Sequence, residues 1–305
     1  MSLGFMFPGQ GSQTVGMLSD ISAEYPQVIE CFQRAGDSIG RPLWEITTSG
    51  PDTELNSTEI TQPALLTASV ALWEIWQTSG GEAPAMLSGH SLGEYSALVC
   101  AGSLSLEDGV RLVHERGKLM QKAVPHGKGA MAAVLGLDDG VVAACCEAVD
   151  GVVSPANFNA PGQVVIAGAT AAVESAVEAC REAGARRAVL LPVSGPFHCE
   201  LMRPVQNAFA DVLGRVDLVM PSIPIVHNVD GEVAPDLDAL RSKLMAQIAE
   251  PVLWTRCAQN MVAAGVTRLV ECGPGKVLSG LVKRIDKSVQ AESLGTLDGL
   301  RAALG

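Results

Sequence analysis

In this 305-residue chain a serine lies between two glycines, Gly89-His-Ser91-Leu-Gly93, at a junction of two sequence patterns. Residues 85–88 before it are apolar enough for a buried strand, and residues 93–101 after it have helical character. A Gly-x-Ser-x-Gly sequence between a strand and a helix is typical of a nucleophile elbow, because the glycines allow a sharp turn that exposes the serine hydroxyl. The spacing alone occurs often by chance, so its strand and helix context carries the prediction.

Apolar runs and helical patterns alternate along most of the chain. Hydrophobic residues make up 48% of the sequence and aromatic residues only 4%, a composition that suits helices packed on a mostly parallel sheet. Residues 3–7 form a strand-like run that ends in the glycine-bearing loop 8–13. Helical periodicity covers 23–38, 62–78 and 105–123, and further strand-like runs cover 223–227 and 267–271. We therefore predict an α/β fold with functional loops at strand ends.

The middle of the chain has a different pattern. Strand-like segments lie at 129–136, 152–157, 164–167 and 187–192, with helical segments at 138–148 and 170–183. Their order, βαββαβ, is that of a ferredoxin-like unit. We predict a small subdomain of residues 128–193 inserted into a larger α/β subdomain of residues 1–127 and 194–305.

Charge and cysteine content argue against several classes of protein. A formal net charge of -12 argues against a nucleic-acid surface, which needs a basic footprint. The eight cysteines are scattered and contain no Cys-x-x-Cys pair, so we expect reduced thiols. The N-terminus does not resemble a signal peptide, and no apolar stretch of about 18 residues follows. We expect a cytoplasmic protein that does not contact a membrane.

An acidic partner would need a local positive patch on this acidic chain. The best candidates are Lys276, Lys283, Arg284 and Lys287, together with Arg186 and Arg187. The same residues are equally consistent with the solvated faces of ordinary surface helices.

A serine nucleophile needs a base, and the chain has five histidines. His198 is the first candidate, because it lies in a loop after the small subdomain from which a side chain could face a cleft. His227, at the end of a strand-like run, is the second. For His90 we expect a structural hydrogen bond, His114 falls near the polar side of its helix, and His126 lies in a loop.

An oxyanion site needs two hydrogen-bond donors. The backbone amide of Leu92, directly after the elbow serine, supplies one. The loop Gly9-Gln10-Gly11 is bare enough for its backbone to approach a substrate and to supply the second. The alternative interpretation of that loop is an ordinary turn.

Arg116 is the one charge at the edge of an apolar helix face, formed by Leu106, Val110, Val113, Gly117 and Met120. A charge in that position is expected to be paired. Its partner is either a carboxylate of the protein or a carboxylate of the substrate, held by the planar guanidinium. The sequence does not decide between them.

Five segments in order resemble one family. They are Phe7-Pro-Gly-Gln-Gly-Ser-Gln13, Gly89-His-Ser-Leu-Gly-Glu94, Asn157-Phe-Asn-Ala-Pro-Gly-Gln-Val-Val-Ile-Ala-Gly168, Gly195-Pro-Phe-His198 and Gly273-Pro-Gly-Lys276. Together they resemble the malonyl-CoA:acyl carrier protein transacylases of bacterial fatty acid synthesis, from residue 4 to about residue 300. The resemblance implies an α/β-hydrolase-like core with a mostly parallel sheet and a ferredoxin-like insert.

The resemblance also implies a role for each matching residue. Ser91 would be the nucleophile and His198 the base, which places His198 above His227. The oxyanion amides would be those of Gln10 and Leu92. The site would be a Ser-His dyad, a variant of the more familiar triad.

The remaining assignments concern substrate and orientation. Arg116 would bind the malonyl carboxylate, and the backbone carbonyl of Gln247 would orient the histidine. Met120 and Phe197 would line the substrate pocket. Phe197 favours malonyl over methylmalonyl, because relatives that use methylmalonyl usually have serine at that position.

The resemblance further implies malonyl-CoA as substrate and a transient acyl carrier protein as partner, whose phosphopantetheine thiol accepts the acyl group. We expect no metal or redox cofactor, no nucleic acid and a monomer. Polyketide synthesis is the alternative to fatty acid synthesis.

Two rival functions remain open from the sequence. One is an esterase or thioesterase, because the same elbow supports attack by water. Such enzymes usually place a carboxylate between serine and histidine, and Asp138, Asp139 and Asp150 all fall in the predicted insert. The other is an inactive scaffold that binds a carrier protein, against which the intact site residues argue.

Overall fold

Nine strands and fourteen α-helices make up the computed structural model, which describes residues 2–125 and 127–305. The strands are β1 (Ser2–Phe7), β2 (Met86–Gly89), β3 (Gly129–Leu135), β4 (Val153–Ala160), β5 (Gln163–Ala169), β6 (Arg187–Leu190), β7 (Ile225–Val226), β8 (Val266–Glu271) and β9 (Gln290–Ser293). The helices are α1 (Ser19–Glu24), α2 (Gln27–Ile39), α3 (Leu43–Ser49), α4 (Asp52–Leu55), α5 (Thr58–Thr78), α6 (Gly93–Cys100), α7 (Leu106–Lys122), α8 (Asp139–Glu147), α9 (Thr170–Glu182), α10 (Arg203–Leu213), α11 (Leu237–Ala246), α12 (Trp254–Ala263), α13 (Val277–Ile285) and α14 (Leu297–Leu304).

The larger sheet has five strands in the order β7-β2-β1-β8-β9, and every neighbouring pair is parallel. In the register of β1 with β2, Phe7 lies beside Gly89. Because parallel strands end at the same edge of a sheet, the loop after β1 and the turn after β2 lie side by side. This edge therefore brings together the two segments that the sequence analysis singled out.

Helix α5 explains how the core around this sheet is filled. It is apolar on nearly every side and buried along almost its whole length. Phe5 of β1 packs edge-on against Trp73 and Trp76 of this helix, with ring centroids 5.2 Å apart in both pairs. A helix buried all round is expected in the centre of a domain, and α5 fixes the position of the elements around the site.

The smaller sheet is antiparallel, with the order β4-β5-β3-β6 expected of a ferredoxin-like unit. We call residues 129–190 the insert. Its two faces differ because side chains alternate along a strand: Ala132 and Val134 pack with the helices of the insert, whereas Met131 packs into the main core. The predicted strands and helices of this region are all present, and the α/β fold class is confirmed. The boundaries at 127/128 and 193/194 stay predictions.

Two regions differ from the sequence prediction. The helical pattern 23–38 is split into α1 and α2, because Pro26 cannot continue the first helix. Strand β9 was not predicted, since its residues are largely polar and it lies at the edge of the sheet.

In the part of the chain that the structure describes, no helix has the length and apolar character needed to cross a bilayer.

Candidate active site

Ser91 lies in a strained turn between β2 and α6. Its φ of 52° is in the left-handed region, which side chains other than glycine rarely adopt. A Cβ at Gly89 would lie 1.9 Å from the carbonyl carbon of Gly93, and one at Gly93 would lie 2.0 Å from the carbonyl oxygen of Phe7. Both glycines are therefore required for the turn to pack against β1, as expected for a nucleophile elbow.

His198 is the histidine that faces Ser91. The distance from Ser91 Oγ to His198 Nε2 is 2.6 Å, and His198 Nδ1 lies 2.8 Å from the backbone carbonyl oxygen of Gln247. Since a carbonyl only accepts, Nδ1 carries the proton and Nε2 is free to accept one from the serine. No carboxylate of the described residues pairs with this ring. The arrangement is a Ser-His dyad oriented by a carbonyl.

The electrostatic surroundings keep this histidine neutral. Burial is the main cause and the positive charge of Arg116 the second, and together they lower the pKa of His198 from 6.5 to about 3. A neutral imidazole is the form that can accept a proton, so the ring is in the state of a base at neutral pH.

The other described histidines make no hydrogen bond to Ser91 Oγ. His227 is completely buried, with Nδ1 2.7 Å from Glu94 Oε1, and does not line the cavity. His90 Nε2 lies 2.8 Å from Asn159 Oδ1, a structural hydrogen bond as expected. His114 was expected near the polar side of its helix, but it is buried, with only 8% of its surface exposed. His126 lies outside the described residues.

The buried ring of His114 replaces a hydrogen-bond donor that a proline removes from the neighbouring helix. Pro63 lies in α5 and has no N–H, so the carbonyl of Glu59, four residues earlier, lacks its helical donor. Nδ1 of His114 lies 2.7 Å from that carbonyl oxygen and donates to it. The side chain therefore has a structural role that periodicity alone did not reveal.

Asn228 and Glu94, which sequence reasoning missed, stabilise the elbow through buried hydrogen bonds. Asn228 Oδ1 accepts from the backbone N–H of Ser91 at 2.7 Å, and its Nδ2 donates to the carbonyl of Gly89 at 2.7 Å. The buried carboxylate of Glu94 accepts from the N–H of Asn228 at 3.0 Å and from Nε2 of Gln247 at 3.1 Å. A carboxylate at the start of a buried helix was the available signal, since such a charge requires partners.

The predicted oxyanion donors lie on adjacent loops. In the described residues, neither the backbone N–H of Gln10 nor that of Leu92 donates to a protein acceptor. The loop of Gln10 packs tightly on the elbow, because a Cβ at Gly9 would lie 2.5 Å from the carbonyl oxygen of His90. Both amides are therefore available to a ligand, as two donors of an oxyanion hole must be.

Arg116 is buried beside the serine, with only 1% of its surface exposed. Its Nη1 donates to Gln62 Oε1 at 2.8 Å and its Nη2 to Gln247 Oε1 at 3.0 Å. The same Nη2 lies 3.3 Å from Ser91 Oγ, and the guanidinium stacks on Tyr95, 5.1 Å from the ring centroid. Among the described residues, no carboxylate pairs with it.

The sequence left open whether Arg116 pairs with a carboxylate of the protein or with one of the substrate, and these contacts bear on that choice. A buried guanidinium without a counterion is unfavourable, and burial lowers the pKa of Arg116. The hydrogen-bond partners in the described chain are neutral oxygens, and Nε has none. The arrangement is therefore suited to an anionic group on a bound ligand.

A cavity of about 680 Å³ connects these residues with the insert. Met120 and Phe197, which the family resemblance assigned to the substrate pocket, both line it. The insert supplies part of the wall, including Met131 and Val165, and α13 supplies Leu281. The cavity is large enough for a thioester-sized ligand.

Because His198 lies within hydrogen-bond distance of the elbow serine in an α/β fold, the site is that of a serine enzyme of the acyl-transfer class. The model of the acyl transferase domain family matches residues 4–297, and the chain belongs to this family.

The chain is also similar to individual relatives over nearly its whole length. The malonyl CoA-acyl carrier protein transacylase of Escherichia coli (strain K12) is 56% identical, covering 98% of both chains. That of Bacillus subtilis (strain 168) is 40% identical, covering 99% of this chain and 96% of the relative. Both alignments therefore cover nearly the full length of this chain and of the relative.

The fold of the chain is also similar to solved structures of transacylases. The malonyl-CoA:acyl carrier protein transacylase of Xanthomonas oryzae pv. oryzae has a TM-score of 0.98 at 51% identity, covering 100% of this chain and 98% of that chain. A malonyl transacylase solved in complex with a type II polyketide synthase acyl carrier protein has a TM-score of 0.98 at 48% identity, covering 100% and 99%.

Proposed function

We propose that this protein transfers malonyl from malonyl-CoA to the phosphopantetheine thiol of an acyl carrier protein, through an ester on Ser91. The observation that carries the proposal is the buried guanidinium of Arg116, 3.3 Å from the serine oxygen and without a carboxylate partner among the described residues. A malonyl group esterified to Ser91 would carry its free carboxylate close to that charge. The names and identities of the relatives support the same activity.

The first half-reaction forms the ester. Ser91 Oγ attacks the thioester carbon while its proton moves to Nε2 of His198. The oxyanion that develops is held by the amides of Gln10 and Leu92. When the carbon–sulfur bond breaks, the leaving sulfur of coenzyme A takes the proton from His198, which restores the neutral ring.

The second half-reaction reverses this chemistry with another thiol. The pantetheine sulfur of the carrier protein gives its proton to His198 and attacks the ester carbon. The same two amides hold the second oxyanion, and Ser91 recovers its proton as the carbon–oxygen bond breaks. Each step is an acyl or proton transfer, so we propose that no metal or redox cofactor takes part. Gln247 acts through His198 as a positioning residue.

One chain supplies all the groups of this cycle, so a monomer is sufficient. The eight cysteines are free and buried, which supports a reducing compartment and our placement of the enzyme in the cytoplasm. We infer that the carrier serves fatty acid synthesis. A polyketide carrier is the second candidate, because a relative of 48% identity was solved with one.

Four exposed basic residues on or next to α13 form a basic patch to which an acidic surface of the carrier could bind. Lys276, Lys283, Arg284 and Lys287 are exposed on or next to α13. The same helix contributes Val277 and Leu281 to the wall of the cavity. A carrier attracted to this patch would have a short path for its pantetheine arm.

The test is intact-mass spectrometry after brief incubation with malonyl-CoA, followed by addition of a phosphopantetheinylated carrier protein. We expect a malonyl adduct that then moves to the carrier, and no adduct in Ser91→Ala. An adduct that decays to free malonate without reaching the carrier would instead identify a thioesterase. An adduct that persists in Ser91→Ala would point to Cys199, although burial raises the pKa of that thiol to about 11.

A further inference from the structure

Gln62 is the buried amide side chain of α5, which is largely apolar. It is 1% exposed, lines the cavity and makes one side-chain hydrogen bond to the described chain, in which its Oε1 accepts from Arg116 Nη1 at 2.8 Å. Since a guanidinium only donates, this contact fixes which end of the Gln62 amide faces Arg116. A position that touches a buried arginine so directly is where a counterion would be expected.

Among the described residues, the groups in direct contact with the guanidinium of Arg116 are uncharged. Gln62 and Gln247 each offer an amide oxygen, and Tyr95 offers the face of its ring. The carboxylate of Glu94 lies one residue further away, where it accepts from Nε2 of Gln247 at 3.1 Å. The positive charge is therefore held in place by direct contacts that do not neutralise it.

We propose that Gln62 determines acyl-group specificity: its neutral amide occupies the place of a counterion and so leaves the charge of Arg116 available to the free carboxylate of the acyl group. The inference rests on the proposed malonyl transfer and assigns to Gln62 a role separate from that of Arg116. A carboxylate at position 62 would pair with Nη1 at close range. It would also repel an acyl carboxylate entering the same cavity, so a neutral acyl group would become the better substrate.

Two variants separate charge from hydrogen bonding. Gln62→Glu keeps the shape of the side chain and adds one negative charge. We expect kcat/KM for malonyl-CoA to fall about 100-fold or more, while kcat/KM for acetyl-CoA holds or rises, so that the preference inverts. Gln62→Met is the matched uncharged control. It removes the hydrogen bond but leaves the charge of Arg116 uncompensated, so both thioesters should change by about the same factor, roughly 10-fold or less, and malonyl should stay preferred.

Each outcome of these measurements either supports or refutes the proposed role of Gln62. If Gln62→Glu keeps the malonyl preference, or if Gln62→Met loses it to the same extent as Gln62→Glu, the proposal is wrong and Gln62 only positions Arg116. A thermal melt and labelling of Ser91 by a fluorophosphonate report whether the variants are folded with an intact dyad. If Gln62→Glu fails to fold, the Met variant alone decides by keeping or losing the preference. Failure of the wild type to form or transfer a malonyl adduct would refute the proposed function itself, whatever the variants do.

Discussion

The two sheets of this protein face the same cavity but contribute different things to it. The loops at one edge of the parallel sheet carry Ser91 after β2 and Gln10 after β1. The antiparallel sheet of the insert presents alternate side chains, such as Met131 and Val165, across the cavity. Among the described cavity-lining residues, those of the insert have no titratable group. Strand ends thus gather chemistry, whereas a sheet face gives shape, and substitutions in the two regions should affect different kinetic constants.

The largest effect should come from His198→Ala, in the region of the chemistry. One base serves attack by serine and attack by thiol, so both half-reactions should slow by about 10²- to 10⁴-fold. Single-turnover formation of the adduct, and transfer from separately prepared malonyl enzyme, measure the two steps. Slowing of only the second step would contradict the assignment of the base, and a thermal melt controls for folding.

The next largest effect concerns Arg116. Its hydrogen bonds to a substrate carboxylate would be charge-assisted, so Arg116→Ala should lower kcat/KM for malonyl-CoA by roughly 10- to 100-fold or more while acetyl-CoA transfer holds or rises. Arg116→Lys should restore only part of the malonyl activity, because an ammonium lacks the planar fork. An equal fall for both thioesters in folded variants would make Arg116 a structural residue.

The pH dependence should be smaller and has a definite sign. With the pKa of His198 lowered to about 3, mainly by burial, the base is neutral throughout the neutral and mildly acidic range. The rate of Ser91 acylation should therefore change only about two- to three-fold between roughly pH 7.5 and pH 5. A tenfold loss for each pH unit below 6.5 would show an ordinary histidine.

The lowered pKa of His198 also makes the free energy of unfolding depend on pH. Below about pH 6.5 the imidazole of His198 is protonated in the unfolded chain but stays neutral in the folded chain. The contribution of His198 to stability is therefore lost as the pH falls from 6.5 toward 3. A melt at each pH shows the range over which the acylation rates describe folded enzyme.

The smallest effect on chemistry should come from the insert. Val165→Ala removes two methyl groups from the cavity wall, so KM for malonyl-CoA should change several-fold while the saturated acylation rate stays within about threefold. Val134→Ala is the matched control on the opposite face of the same sheet, where it packs with the insert helices. It should lower the Tm by a few degrees without changing KM, at a cost of about 1 to 3 kcal/mol. A tenfold lower acylation rate in Val165→Ala would remove the distinction between the two sheets.

Prediction from the sequence was accurate where the signal is local. The elbow needs an apolar run, two glycines and a helix within about twenty residues, and each part can be recognised without the rest of the chain. The βαββαβ order of the insert is similarly a series of short patterns. The prediction did less well at β9 and at His114, because the first is a polar edge strand and the second depends on Pro63 in another helix.

Local sequence patterns were enough to predict the α/β class, the nucleophile candidate and the region of the insert. The tertiary structure decided which histidine meets Ser91, although the two residues are 107 positions apart. It also decided that Arg116 has neutral hydrogen-bond partners among the described residues, and that Asn228 holds the elbow from 137 positions away. The reason is physical: backbone preferences act over a few neighbouring residues, whereas the partner of a buried charge or base is set by how distant segments pack.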